Sequence, residues 1–188
     1  MSKVEAIRQK VSRKILPIFN NIDALHVSCL NATPLLSDSS LKMCVGMNMK
    51  MPRNSSLING TYGIKKLDSH TGEEVAVCGF DIEKERMIIN HTPQGNRPEF
   101  FSSIQARHRL GRSDFRIEMM QAMIEIAKKL HLKEVVGFPI KPYFLGDKEI
   151  YSKKIKVKNK IFELFNFSLI GSELPNESYY SLTLNSPV

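Results

Sequence analysis

The segment running from Phe115 to Phe138 leaves a chain few ways to fold. Phe115, Met119, Met123, Ile126 and Leu130 recur at spacings of three and four, with Met120 and Ala127 beside them. Glu118, Gln121, Glu125, Lys128 and Lys129 take the other side. That period predicts an amphipathic helix with one buried stripe and one solvated face. Ser113 or Asp114 suits the N-cap, and Lys128, Lys129 and His131 suit the negative end of the helix dipole. Val135 to Phe138 reads as a short buried strand. Ahead of the helix, basic residues crowd around one glycine in Arg107-His108-Arg109-Leu110-Gly111-Arg112. A basic loop feeding a helix N-terminus offers unpaired N–H groups and positive charge to a phosphate, with Arg109, Arg112 and Arg116 as the cations. A solvated basic face on an ordinary packing helix is the plainer reading of the same residues.

Upstream, Leu41, Met43, Val45, Met47, Met49 and Met51 alternate with Lys42, Cys44, Gly46, Asn48 and Lys50, a period of two that predicts a strand with one buried face. Thr61 to Leu67, Glu74 to Ile82 and Arg86 to His91 predict three more strands. Asp68-Ser-His-Thr-Gly72 forms a hairpin turn between the first two, and Glu83-Lys-Glu85 a turn between the last two. These four segments make an antiparallel meander. Thr92 to Arg97 reads as loop. Pro98 and Glu99 suit a helix start, with Phe100, Phe101, Ile104 and His108 on one face. Val4, Ile7, Val11 and Ile15 mark one face of a helix over residues 2–16, stopped near Pro17. Ala24 to Leu30 is a strand or a short helix. Ile161 to Phe167 is helical, and Leu169-Ile170 and Tyr179 to Leu184 read as terminal strands.

Helix, meander, glycine-bearing loop, long helix, strand, helix and a last strand pair together resemble the GNAT superfamily of N-acetyltransferases. Its loop of pattern Gln/Arg-x-x-Gly-x-Gly/Ala falls on His108, Gly111 and Ser113, of which Gly111 meets the pattern. The tail, Phe162-Glu-Leu-Phe-Asn-Phe167, carries Asn166 where that family commonly has glycine. The resemblance implies a mixed, mainly antiparallel sheet flanked by helices, acyl-CoA N-acyltransferase-like, covering residues 40–184. It implies acetyl-CoA or another acyl-CoA as substrate, with the acyl group passed to an amine on a small molecule or a protein, and no metal. Ile88, Ile89 and Asn90 would hold the pantetheine arm, and Arg109, Leu110, Gly111, Arg112, Ser113 and Asp114 the pyrophosphate. Lys153, Lys154 or Lys156 would meet the ribose phosphate. His91 or Glu83 would be the base. Phe162 stands where the family places its acidic tyrosine, which leaves Tyr151 as the nearest acid. Gln94-Gly-Asn-Arg97 after a strand also resembles bacterial VirK-like proteins, which implies a non-catalytic basic binding protein linked to virulence.

The chain has 188 residues, 42% hydrophobic and 24% charged, enough for one packed domain. The expected division is residues 1–22, an amphipathic helix docked on the domain, and residues 23–188, the domain itself. A net charge of +8 favours phosphorylated or acidic partners. The N-terminal helix would face either an acidic membrane surface or the domain, and docking is the favoured reading. The basic blocks, Lys3 to Lys14, Arg107 to Arg116 and Lys153 to Lys160, lack interleaved aromatics, which argues against nucleic acid. Cys29, Cys44 and Cys78 are odd in number and lack metal spacing. They read as reduced thiols in a cytoplasmic protein or a secreted bacterial effector.

Overall fold

A computed structural model describes residues 1–16, 20–45, 60–95, 104–112, 114–138, 160–171 and 178–184, with the backbone alone at 107, 111 and 112. The architecture is α/β: a seven-stranded, mostly antiparallel sheet flanked by helices. The meander forms as the alternation predicts: β1 (Leu41–Val45), β2 (Tyr62–Leu67), β3 (Glu74–Glu83) and β4 (Arg86–Gly95) are antiparallel neighbours. Residues 46–51 of the predicted first strand lie outside the described residues. β4 then pairs with β5 (Glu134–Gly137), the only parallel pair among the described strands. β5 pairs antiparallel with β7 (Tyr179–Thr183), and β7 with the three-residue edge strand β6 (Ser168–Ile170). The outer edge of β1 is covered by the chain at 33–36, through Leu35 N–H to Leu41 O at 2.8 Å and Met43 N–H to Thr33 O at 2.9 Å.

Two helices open on side-chain caps. α1 (Lys3–Lys14) opens with Ser2 accepting from the Glu5 N–H at 3.2 Å, in a Ser-x-x-Glu sequence. The undecided segment is a helix, α2 (Ile22–Leu30), capped by Asn21 accepting from Ala24 N–H at 2.8 Å. α3 (Ile104–Arg112) and α4 (Phe115–Lys129) carry the crossover from β4 to β5. Three helices, including a short one at 160–164, end in the same way without glycine. Ala32, His131 and Asn166 each adopt positive φ (48°, 55° and 59°). The next N–H reaches back to the last turn: Thr33 to Ser28 O, Leu132 to Ala127 O and Phe167 to Phe162 O, all at 3.0 Å.

One core joins these layers. Leu41, Met43, Ile64, Ala76, Cys78, Phe80, Met87, Ile89 and Val135 share one sheet face by register, and all are buried with α2 Leu25 and α4 Met119, Met120, Met123, Ile126 and Ala127. The predicted single stripe on α4 understates its burial, because α1 covers a second side. Val11 and Ile15 are buried there, whereas Val4 and Ile7 are half-buried. Gln121, expected in solvent, is 3% exposed. Its amide accepts from Arg8 Nε at 3.1 Å and donates to Ser12 Oγ at 3.1 Å and Glu125 Oε1 at 2.7 Å. Together with Lys3 Nζ to Asp114 at 3.0 Å and Ser12 Oγ to Glu125 at 2.8 Å, these contacts make α1 and α4 run in the same direction.

Two further expectations change. Thr92 to Gly95 is not loop but the continuation of β4, across register shifts on either side of His91. Pro93, which lacks an N–H, is tolerated where the ladder is already interrupted. The supposed loop before the long helix is itself helical, since α3 runs through Leu110, Gly111 and Arg112.

Candidate ligand site at the end of the parallel pair

β4 and β5 are in register from Arg86↔Glu134 to Ile89↔Gly137, where β5 ends. β4 continues to Gly95, so from Asn90 onward its edge on that side pairs with no strand among the described residues. Ile88 and Ile89, expected to hold a ligand's arm, sit opposite Val136 and Gly137 within the ladder. The Asn90 amide donates to Asp81 Oδ2, and Asp81 Oδ1 accepts from the Thr61 N–H at 2.6 Å. His91 is half-buried opposite Gly79 of β3, inside the irregular part of β4. Glu83 lies at the wrong end. It pairs with Arg86 at the exposed β3–β4 hairpin, and His91 is about 16 Å further along β4 at roughly 3.3 Å per residue. It cannot act on the same bond as His91.

The crossover comes back over the end of β4. A Cβ added at Gly95 would lie 2.9 Å from Leu110 Cδ2, so the absence of a side chain there lets α3 settle against the strand. Arg109 is already engaged. Its Nε and Nη2 donate to Asp68 Oδ1 and Oδ2 at 2.8 and 2.7 Å. Asp68 is buried, and Thr71 adds its N–H and hydroxyl, each 3.0 Å from Oδ2. The Arg109 guanidinium and these two bonds hold the Asp68 carboxyl well below the usual carboxylate range. Arg109 therefore pins α3 to the β2–β3 turn, with its Nε and Nη2 already engaged.

Leu110 is half-buried in the core margin, and the backbone of Gly111 and Arg112 closes α3 as helix. α4 restarts at Asp114. Asp114 O accepts from Ile117 and Glu118 N–H, which leaves the N–H groups of Phe115 and Arg116 leading the helix. The Asp114 side chain makes no cap and pairs with Lys3 instead. Arg116 lies over the Phe115 ring at 4.7 Å. Ser113, Tyr151, Lys153, Lys154 and Lys156 lie outside the described residues.

Phe162 is fully buried in the same core as the α4 side chains. It stacks on Tyr180 at 4.6 Å, and a Cβ at Gly137 would meet its ring at 2.2 Å. Burial pushes the Cys29 thiol up to about 11, Cys44 to about 12 and Cys78 well above its ordinary value, so all three stay protonated and unreactive. Among the described residues no group of His, Cys, Asp and Glu is placed to hold a metal, and no helix is long and apolar enough to cross a membrane. Sequence reading missed Asp68, Thr71 and Gln121. An Asp opening a turn was a visible signal for the first two, but its partner Arg109 is 41 positions away.

No protein-family model matches the chain, and no curated protein does. One solved structure is similar, a domain from Methanocaldococcus jannaschii, at 12% identity over 77% of this chain and 68% of that one, with a TM-score of 0.36. A likeness that loose carries no argument about what the chain does.

Proposed function

We propose that the protein binds an acyl-CoA along the β4 edge beyond Ile89 and passes the acyl group to an amine. The observation that carries this reading is the end of the β4–β5 ladder at Ile89 and Gly137. Beyond it β4 presents backbone groups that an extended amide-bearing arm can bond as a strand would. The crossover helix α4 starts on the same route, with the N–H groups of Phe115 and Arg116 leading it, a suitable seat for a pyrophosphate. In the reaction the amine nitrogen attacks the thioester carbonyl. The C–N bond forms, the C–S bond breaks, and the thiolate leaves. His91 takes the proton from the amine, and Tyr151 returns one to the thiolate. Arg109 and Glu83 have no part in it.

Calorimetry with acetyl-CoA and octanoyl-CoA tests the binding. Arg112→Ala should weaken it about tenfold, the usual loss for a charge-assisted phosphate contact. His91→Ala should leave binding intact and slow transfer to an amine panel on the order of a hundredfold or more. Folded protein that binds no acyl-CoA ends this reading and favours a non-catalytic binding protein, as the basic composition and the VirK-like resemblance suggest.

A further inference from the structure

We infer that the groove between α1 and α4 is a second, separate binding site, for a phosphoryl group. It is a depression of about 330 Å³ lined by Glu5, Arg8, Ser12, Arg13, Gln121 and Lys128. Its charge is not balanced. Lys128 is paired with Glu125 at 3.2 Å, and Glu125 also accepts from Ser12 and Gln121, so that carboxylate is fully engaged. Among the described residues neither Arg8 nor Arg13 has an ion-pair partner.

Arg8 is also held in place before any ligand arrives. Its guanidinium lies 4.9 Å over the ring of buried Phe165, and Nε donates to the 97%-buried amide of Gln121. This fixes the plane of the guanidinium while its two Nη groups stay uncommitted among the described residues. A planar, fixed fork with spare donors recognises phosphate oxygens in pairs, and less side-chain entropy is lost on binding than for a loose surface arginine. Arg13, about 1.4 turns further along α1 and so on the other flank of that helix, also lines the depression and supplies a second charge. The site lies about two turns along α4 from Asp114, away from the β4 edge, so it does not depend on acyl-CoA binding.

The test uses pyrophosphate and, separately, vesicles of phosphatidylglycerol in phosphatidylcholine, read by calorimetry, by cosedimentation and by the Arg8 Nε–H resonance. Pyrophosphate should shift that resonance. Arg13→Gln, exposed and outside the hydrogen-bond network, should weaken binding about fivefold or more, and Lys10→Gln, exposed on the same helix but off the groove, by less than about twofold. Arg8→Lys, which keeps the charge but loses the fork, should weaken binding as Arg13→Gln does. If vesicle binding falls in parallel, a lipid headgroup carries the phosphate. If only pyrophosphate binding falls, the phosphate is a soluble one. Binding of neither probe overturns the inference, as does a loss in Lys10→Gln equal to that in Arg13→Gln, which would mean diffuse attraction to a basic protein.

Discussion

At the scale of single residues, two positions bear most on the fold. Asp68 satisfies Arg109 and Thr71 at once from a buried site. Asp68→Asn should lower the melting temperature by several degrees at neutral pH, because the guanidinium loses its counter-charge. The folded-state pKa is depressed, so the carboxylate's contribution is whole above the unfolded value near 4 and is lost as pH falls through the folded one. Urea unfolding of wild type and Asp68→Asn should therefore differ most at neutral pH and converge in strong acid. A constant gap at every pH would refute this. Gly137 is the second position. Gly137→Ala places a methyl into the Phe162 ring and should cost about 1–3 kcal/mol. Phe162→Leu in the same chain should recover part of that loss, a coupling that a double-mutant cycle measures. The Asp68 turn was legible in the sequence, since Asp at the first position and Gly at the fifth announce it. The use made of its carboxylate was not, because a long-range ion pair leaves no local period.

Among elements, the strands were legible and their ends were not. Alternation marked β1, whose Leu41 and Met43 face the helices, which a period of two records directly, whereas β3 is buried on both faces from Val75 to Phe80 and was read from its bounding turns. It failed at Thr92 to Gly95, where Pro93 and Gly95 read as loop, while the structure keeps them in β4 by shifting register and by using the bare Gly95 as a seat for Leu110. It failed again on α3, whose glycine sits in a helix's last turn. The helix ends make their own prediction. His131 and Ala32 occupy left-handed positions that glycine takes at little cost. His131→Gly and Ala32→Gly should each stabilise by about 0.5–1 kcal/mol. Chemical denaturation showing both neutral or destabilising would refute that.

Across the whole molecule, α1 is as much core as appendage. Val11 and Ile15 are buried, and the outward-written Gln121 lies beneath the helix. A helical wheel drawn from α4 alone puts Gln121 in water, because nothing in its own segment records a second helix arriving from far upstream. Deleting residues 1–16 should lower the melting temperature markedly and expose Met and Ile side chains of α4 to a hydrophobic dye. Val11→Ala alone should cost about 1–3 kcal/mol. An unchanged melting curve after the deletion would show that α1 is dispensable. The candidate site was readable as a strand-to-helix route but not as geometry, since which edge of β4 is left open depends on where β5 stops.

The pairing of Arg8 with Gln121 spans 113 positions, and that separation sets an order of events during synthesis. At about 5–20 residues per second, α1 leaves the ribosome on the order of ten seconds before the surface it rests on has been made. Through that interval the surface of α4 that covers Val11 is missing, and the Ser2–Glu5 cap supports at most a fraying helix. α1 is thus made well before the α4 surface that fixes its place. A protein stalled before residue 115 would carry α1 as a sticky, basic segment, a natural mark for a chaperone.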